Sequence, residues 1–161
     1  YLIICAVIKT AYFMVKYWQM TEILTALMIW LGANTQFDTN HDIPKVLFLP
    51  QAQMEKLYYP EEQEDLPNNN KLHGLYDTES DTIILLDTWD RRKPWDMAVL
   101  LHEMVHYLQD MNKIDYHCTA EMERDAWPIQ KKYLKEQHDY EWDYDRLWYT
   151  VISNCSDEFN F

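Results

Sequence analysis

Glycine is almost missing from this chain: only Gly32 and Gly74 occur in 161 residues. A Gly-rich loop that cradles phosphate is therefore excluded, and turns must rely on Asn, Asp and Pro. Basic residues are scarce as well, with 14 Lys and Arg against 27 Asp and Glu and a formal net charge of −13. A nucleic-acid interface needs clustered cations on the phosphates. The one basic cluster, Arg91 to Lys93, is too short to make such a surface, so no nucleic-acid partner is expected. Cysteine is limited to Cys5, Cys118 and Cys155, without C-x-x-C spacing, which gives no sign of a zinc ribbon or a thioredoxin-like site. Cys118 and Cys155 either pair in an exported protein or stay as buried thiols, and their spacing decides neither.

A membrane-length apolar run is also lacking at the N-terminus. The segment 1–20 is strongly apolar, but Lys9 and Lys16 interrupt it. Its longest uncharged stretch, Tyr1 to Ile8, falls well short of the roughly 20 residues that a spanning helix needs. No firm membrane association is expected. The segment reads either as a signal or anchor remnant or as an ordinary apolar helix. The first reading places the protein in an exported or periplasmic setting, which is expected ahead of a cytoplasmic one. Residues 21–161 are expected to form one domain.

What is present is enough for a packed core: 48% of residues are hydrophobic, with 7 Trp and 12 Tyr. From Thr21, a candidate N-cap, apolar residues recur at helical spacing (Ile23, Leu24, Leu27, Met28, Leu31) up to Gly32. "KVLFLP" reads as a strand bounded by prolines and "QAQMEKLYY" as a short helix. "PEEQEDLPNNNK" is an acidic loop without periodicity, expected to be mobile. Two short runs, Gly74 to Tyr76 and Thr82 to Leu86, flank "DTESD" and predict a β-hairpin. Helices follow over about Pro94 to Met111 and Thr119 to Gln137. A last amphipathic helix is expected in the tail, with Trp142, Leu147 and Val151 on its apolar side. This order of elements predicts an α+β domain with a small sheet.

The stretch that carries chemistry is "LLHEMVHYLQ", Leu100 to Gln109, in the middle of the Pro94 to Met111 helix. Residues i and i+4 lie about 40° apart around a helix, with Cβ atoms roughly 5–6 Å apart. His102 and His106 can therefore converge on one zinc ion, while Glu103 on the flank of the same face can act as general base. Met104, Val105 and Leu108 form the apolar side. Two histidines and Gln109 on another stripe would be costly to bury without partners. A di-iron bundle needs a second E-x-x-H pair on another helix, and none exists. A catalytic zinc needs a third protein ligand. The following helix begins "CTAEMERDAW" and offers Glu121, Glu123 and Asp125. Glu121 and Asp125 share a stripe, so one could bind metal while the other orients a ligand histidine. Glu123 lies on another side, with the small Ala126 on its own stripe permitting close helix approach.

With both helices in view, the chain resembles the gluzincin clan of zinc metallopeptidases, and within it the small minigluzincin type. "HEMVHYLQ" matches their H-E-x-x-H-x-x-Q form, and "ERDA" (Glu123 to Ala126) matches their E-x-x-A. "HGLYDTESDTIILLD", "AVLLHEMVHYLQ" and "CTAEMERDAWPIQ" together look like an uncharacterised family of bacterial and phage metallopeptidases. The resemblance covers about Thr21 to Leu134. It implies a zincin-like fold, His102, His106 and Glu123 as zinc ligands, and Glu103 as base, with Gln109 and Asp125 supporting the ligands. Larger gluzincins carry E-x-x-x-D instead, which Glu121 to Asp125 would satisfy; Ala126, Trp127 and Gln130 fit the smaller pattern better. The resemblance also implies a strand edge beside the zinc that holds an extended peptide or protein substrate. The apolar strand with Thr82, Ile83, Ile84 and Leu85 is the candidate. A further residue should stabilise the oxyanion, with His138, Tyr140 and Tyr144 as candidates. The expected activity is peptide hydrolysis by metal-activated water. The alternative is a zinc-binding or interaction domain that keeps the fold with little or no catalysis.

Overall fold

In the computed structural model, which describes residues 19–58 and 72–155, helices dominate and a small sheet sits between them in sequence, the α+β arrangement expected. The chain divides into two compact units, Tyr1–Ile43 and Pro44–Phe161. The boundary between them falls after the first helix, at the polar stretch before Pro44. The acidic segment 60–71 lies outside the described residues, as does nearly all of segment 1–20.

In the first unit, α1 occupies residues 19–34 of the described chain. Leu24, Leu27, Met28 and Leu31 are its buried residues, at the i, i+3, i+4, i+7 spacing of a single stripe. Thr21 is not an N-cap. It lies inside the helix, and its carbonyl accepts a bond from the Thr25 hydroxyl at 2.8 Å.

The second unit is built on three strands: β1 (Lys45–Leu49), β2 (Gly74–Asp77) and β3 (Thr82–Leu86), in the order β1-β3-β2. A short helix, α2 (Gln51–Tyr58), follows β1. The predicted hairpin forms, with Tyr76 opposite Ile83 and Leu75 opposite Ile84. Its turn ends at Asp81 with a φ of 50°, a left-handed conformation that Asp tolerates better than most residues. β1 pairs with β3 in parallel, from Lys45 opposite Thr82 to Leu49 opposite Leu86.

That topology corrects one expectation. β3 is the central strand, hydrogen bonded on both sides, so Thr82, Ile83, Ile84 and Leu85 offer no free edge to a substrate. All four are buried, which is why this strand reads as a continuous apolar run. The strand next to the motif helix that pairs on one side alone among the described residues is β2.

The motif helix, α3 (Pro94–Met111), has the expected bounds and starts on a proline whose missing N–H costs nothing there. Leu100, Leu101, Met104, Val105 and Leu108 have no exposed surface at all. Burial of such side chains stabilises by about 1.5–3 kcal/mol each before entropy is set against it, and it pins the opposite, histidine-bearing stripe in place. α4 (Thr119–His138) packs along α3 with Ala126 and Leu134 fully buried. Its end is capped by Asp139 in the left-handed conformation.

The tail differs from expectation. Among the described residues of the tail only α5 (Arg146–Ile152) is helical, Trp142 lies outside any helix or strand, and Leu147 and Val151 face solvent. Its anchors are polar, aromatic and covalent instead. Arg124 Nε donates to the Ser153 carbonyl at 2.7 Å, Tyr149 Oη donates to the Arg124 carbonyl at 3.0 Å, and a Cys118–Cys155 disulfide joins the start of α4 to the residues after α5. No helix among the described residues is long and apolar enough to cross a membrane.

Candidate metal centre

The stripe of α3 opposite its core carries His102 and His106 as the helical spacing requires, their rings 4.7 Å apart and nearly perpendicular. Their Nε2 atoms face each other at 3.0 Å. Glu123 comes in from α4, with Oε2 3.2 Å from His102 Nε2 and Oε1 3.3 Å from His106 Nε2. The three residues form a group able to hold a metal ion. Of the three carboxylates at the start of α4, the structure brings Glu123 to the histidines and turns the other two away.

Glu121 points to the opposite flank. It accepts from the His117 backbone at 3.0 Å and faces the His117 ring at 3.1 Å, with Arg124 3.1 Å from its other oxygen. These donors, the His117 backbone first, hold its carboxyl below the usual range. Asp125 does not touch a histidine either. It accepts from Tyr116 Oη at 2.8 Å and from Gln109 Nε2 at 3.4 Å, so it acts one residue further out than expected.

Behind each histidine stands a glutamine. Gln109 Oε1 lies 2.8 Å from His106 Nδ1, and Gln130 Oε1 lies 2.9 Å from His102 Nδ1. An amide oxygen only accepts, so each Nδ1 carries the proton and each Nε2 turns a lone pair toward the other histidine and Glu123. Two lone pairs 3.0 Å apart repel, and Glu123 Oε2 is buried without a hydrogen-bond partner. The three residues are therefore a donor set that a cation, either a proton or a metal ion, could complete. Burial disfavours charge on His106, but the bonds and charges of Glu123 and Glu103 win and push its pKa up to about 9. Burial likewise pushes Glu123 up, and the two histidines outweigh it and hold that carboxyl well below its usual range.

Glu103 sits beside the trio and is 7% exposed. Desolvation raises its pKa, against the neighbouring histidines and a hydrogen bond from the Tyr76 backbone of β2. β2 comes so close that a Cβ on Gly74 would lie 2.6 Å from Glu103 Oε1 and 2.8 Å from its Cγ. One of only two glycines is thus placed where strand and carboxylate touch.

The sequence reading missed Gln130 as a histidine partner, although its position seven residues after Glu123 puts both on one helical stripe. It also missed β2, because strand order is not written in the hairpin pattern. Of the oxyanion candidates, His138 ends α4, fifteen residues and about 22 Å along the axis from Glu123. Tyr140 lies beyond that end and is 46% exposed. Tyr144 lies against α4. Its ring meets Trp127, one turn after Glu123, within an aromatic group that includes Trp142 and Tyr149. Tyr107 packs against Tyr76 in the core.

Fold and site together define an α+β domain with a two-histidine, one-glutamate cluster that could hold a metal ion. The chain belongs to a family described as a domain of unknown function, DUF6647, which it matches over residues 16–158. No curated protein and no solved structure matches it.

Proposed function

We propose that this protein is a zinc-dependent hydrolase that cleaves peptide bonds, with His102, His106 and Glu123 as zinc ligands and Glu103 as general base. The observation that carries the reading is the spacing of the donor atoms. Zinc bonds near 2.0–2.1 Å arranged tetrahedrally put ligand atoms about 3.3 Å apart. Here the two Nε2 atoms are 3.0 Å apart, His102 Nε2 is 3.2 Å from Glu123 Oε2 and His106 Nε2 is 3.3 Å from Glu123 Oε1, and one ligand atom from each residue lies within 4.8 Å of the others. Three protein donors are the complement of a catalytic site with an open position, where a structural site would have four.

Bound there, zinc supplies Lewis acidity at a carbonyl oxygen and lowers the pKa of water to about 7. The protein supplies the proton transfers. Glu103, made more basic by burial, accepts a proton from the attacking water at a carboxylate oxygen and returns it to the departing amine nitrogen. An extended substrate is placed along β2, which among the described residues pairs only with β3 and whose backbone also holds Glu103. Strand addition supplies main-chain hydrogen bonds there without selecting a particular side chain.

Replacing Glu103 by Gln tests the assignment. Zinc binding should persist while hydrolysis of a peptide library is lost, and cleavage by the variant would refute the base. A metal-binding domain without catalysis predicts equal zinc binding and no cleavage by the unaltered protein.

A further inference from the structure

Each ligand histidine is held from behind by an uncharged amide, not by a carboxylate. Gln109 and Gln130 are 1% and 4% exposed, so their bonds to the histidines are shielded from water. The orientation of Gln109 is fixed at both ends. Its Oε1 faces His106, and its Nε2 donates to the Met122 carbonyl at 2.8 Å. Met122 immediately precedes Glu123, so one side chain sets the His106 ring and ties it to the turn of α4 that carries the third ligand. A glutamate at 109 would set an oxygen against the Met122 carbonyl, which gives a local reason for the amide. At Gln130 the bond that matters is the acceptance from His102.

We infer that Gln109 and Gln130 are positioning residues of the metal centre, and that as neutral acceptors they hold both Nε2 lone pairs on the ion while lending it no negative charge. This rests on the proposed metal site. A carboxylate behind a ligand imidazole draws its Nδ1 proton and makes Nε2 a stronger donor. An amide orients the ring equally well and draws less. Glu123 is then the one anionic ligand, and the ion keeps more of its electrophilic character at the expense of affinity.

Zinc titration against a chromophoric chelator tests this on the full chain. In Gln130→Met, which keeps length and loses the acceptor, the zinc dissociation constant should rise about 10–100-fold. In Gln130→Glu, which restores the acceptor and adds charge, it should fall below that of the unaltered protein. Melting of the metal-free Gln130→Met protein should change little, which separates positioning from packing. Equal zinc affinity in all three proteins would overturn the inference and leave the zinc site standing. Absence of zinc binding by the unaltered protein would overturn the site and this inference with it. If Gln130→Met does not fold, the Gln130→Glu comparison decides alone, and unchanged or weaker binding refutes the role of charge.

Discussion

A methyl group added at Gly74 should disable Glu103 without touching a metal ligand. The Cβ of Gly74→Ala would meet Glu103 Oε1 at 2.6 Å, Glu103 Cγ at 2.8 Å and Val99 Cγ1 at 2.9 Å. Ordinary contact starts near 3.4 Å, so the carboxylate must retreat by about 0.8 Å. It has little room to do so, because Glu103 is buried and Val99 closes the other side. A misplacement of about 1 Å costs on the order of 100-fold in rate, and overpacking of this kind costs about 1–3 kcal/mol of stability. The assay is peptide hydrolysis by matched, folded samples, with zinc affinity measured in parallel. kcat/KM should fall about 100-fold at constant zinc affinity. Glu103→Ala removes both Oε1 and Cγ, so adding Gly74→Ala in that background should cost much less stability, a coupling that a double-mutant cycle measures. An equal loss in both backgrounds would refute the steric argument, as would full activity in Gly74→Ala.

Three other outcomes are expected. Glu123→Gln should weaken zinc binding by more than about 100-fold, since even outer partners are worth 10–100-fold, whereas Glu121→Gln should leave it unchanged; the reverse order in a zinc titration would reassign the third ligand. Reducing the Cys118–Cys155 disulfide, which spans 37 residues, should remove about 4 kcal/mol by loop entropy and lower the melting temperature by roughly 10 °C; an unshifted melt would show that the link does not constrain the unfolded chain. Leu108→Ala removes a side chain with no exposed surface and should cost about 2–5 kcal/mol in denaturant unfolding, and a cost under 1 kcal/mol would mean that the helix core repacks freely.

Local pattern made most of the second unit legible. Pro94 and the apolar spacing that follows predict α3 with its observed bounds, and "DTESD" between two apolar runs predicts the β2–β3 hairpin. Both signals lie within a few residues of what they specify. Strand order is different in kind. The parallel pairing of β1 with β3 joins segments more than thirty residues apart, and nothing in "KVLFLP" names its neighbour. The burial of Thr82 to Leu85 on both sides was visible as an apolar run, but read as a substrate edge when it marks the sheet centre. Helical phase explains the site in the same terms. Spacing of four brings His102 and His106 together within one helix, whereas Glu121, Glu123 and Asp125 differ only in rotation about α4, which is set by how Ala126 and Leu134 pack. The tail misled for want of a second signal. Leu147 and Val151 have helical spacing, yet the disulfide, Arg124 and the Tyr149 hydroxyl hold α5 and leave that stripe outward.

The central claim is that His102, His106 and Glu123 together bind one zinc ion. Metal analysis of the zinc-equilibrated, desalted protein, beside the double variant His102→Ala/His106→Ala, tests it directly. One zinc per chain in the unaltered protein and none in the folded double variant is the predicted result; a metal-free unaltered protein, or equal zinc in both, would contradict it.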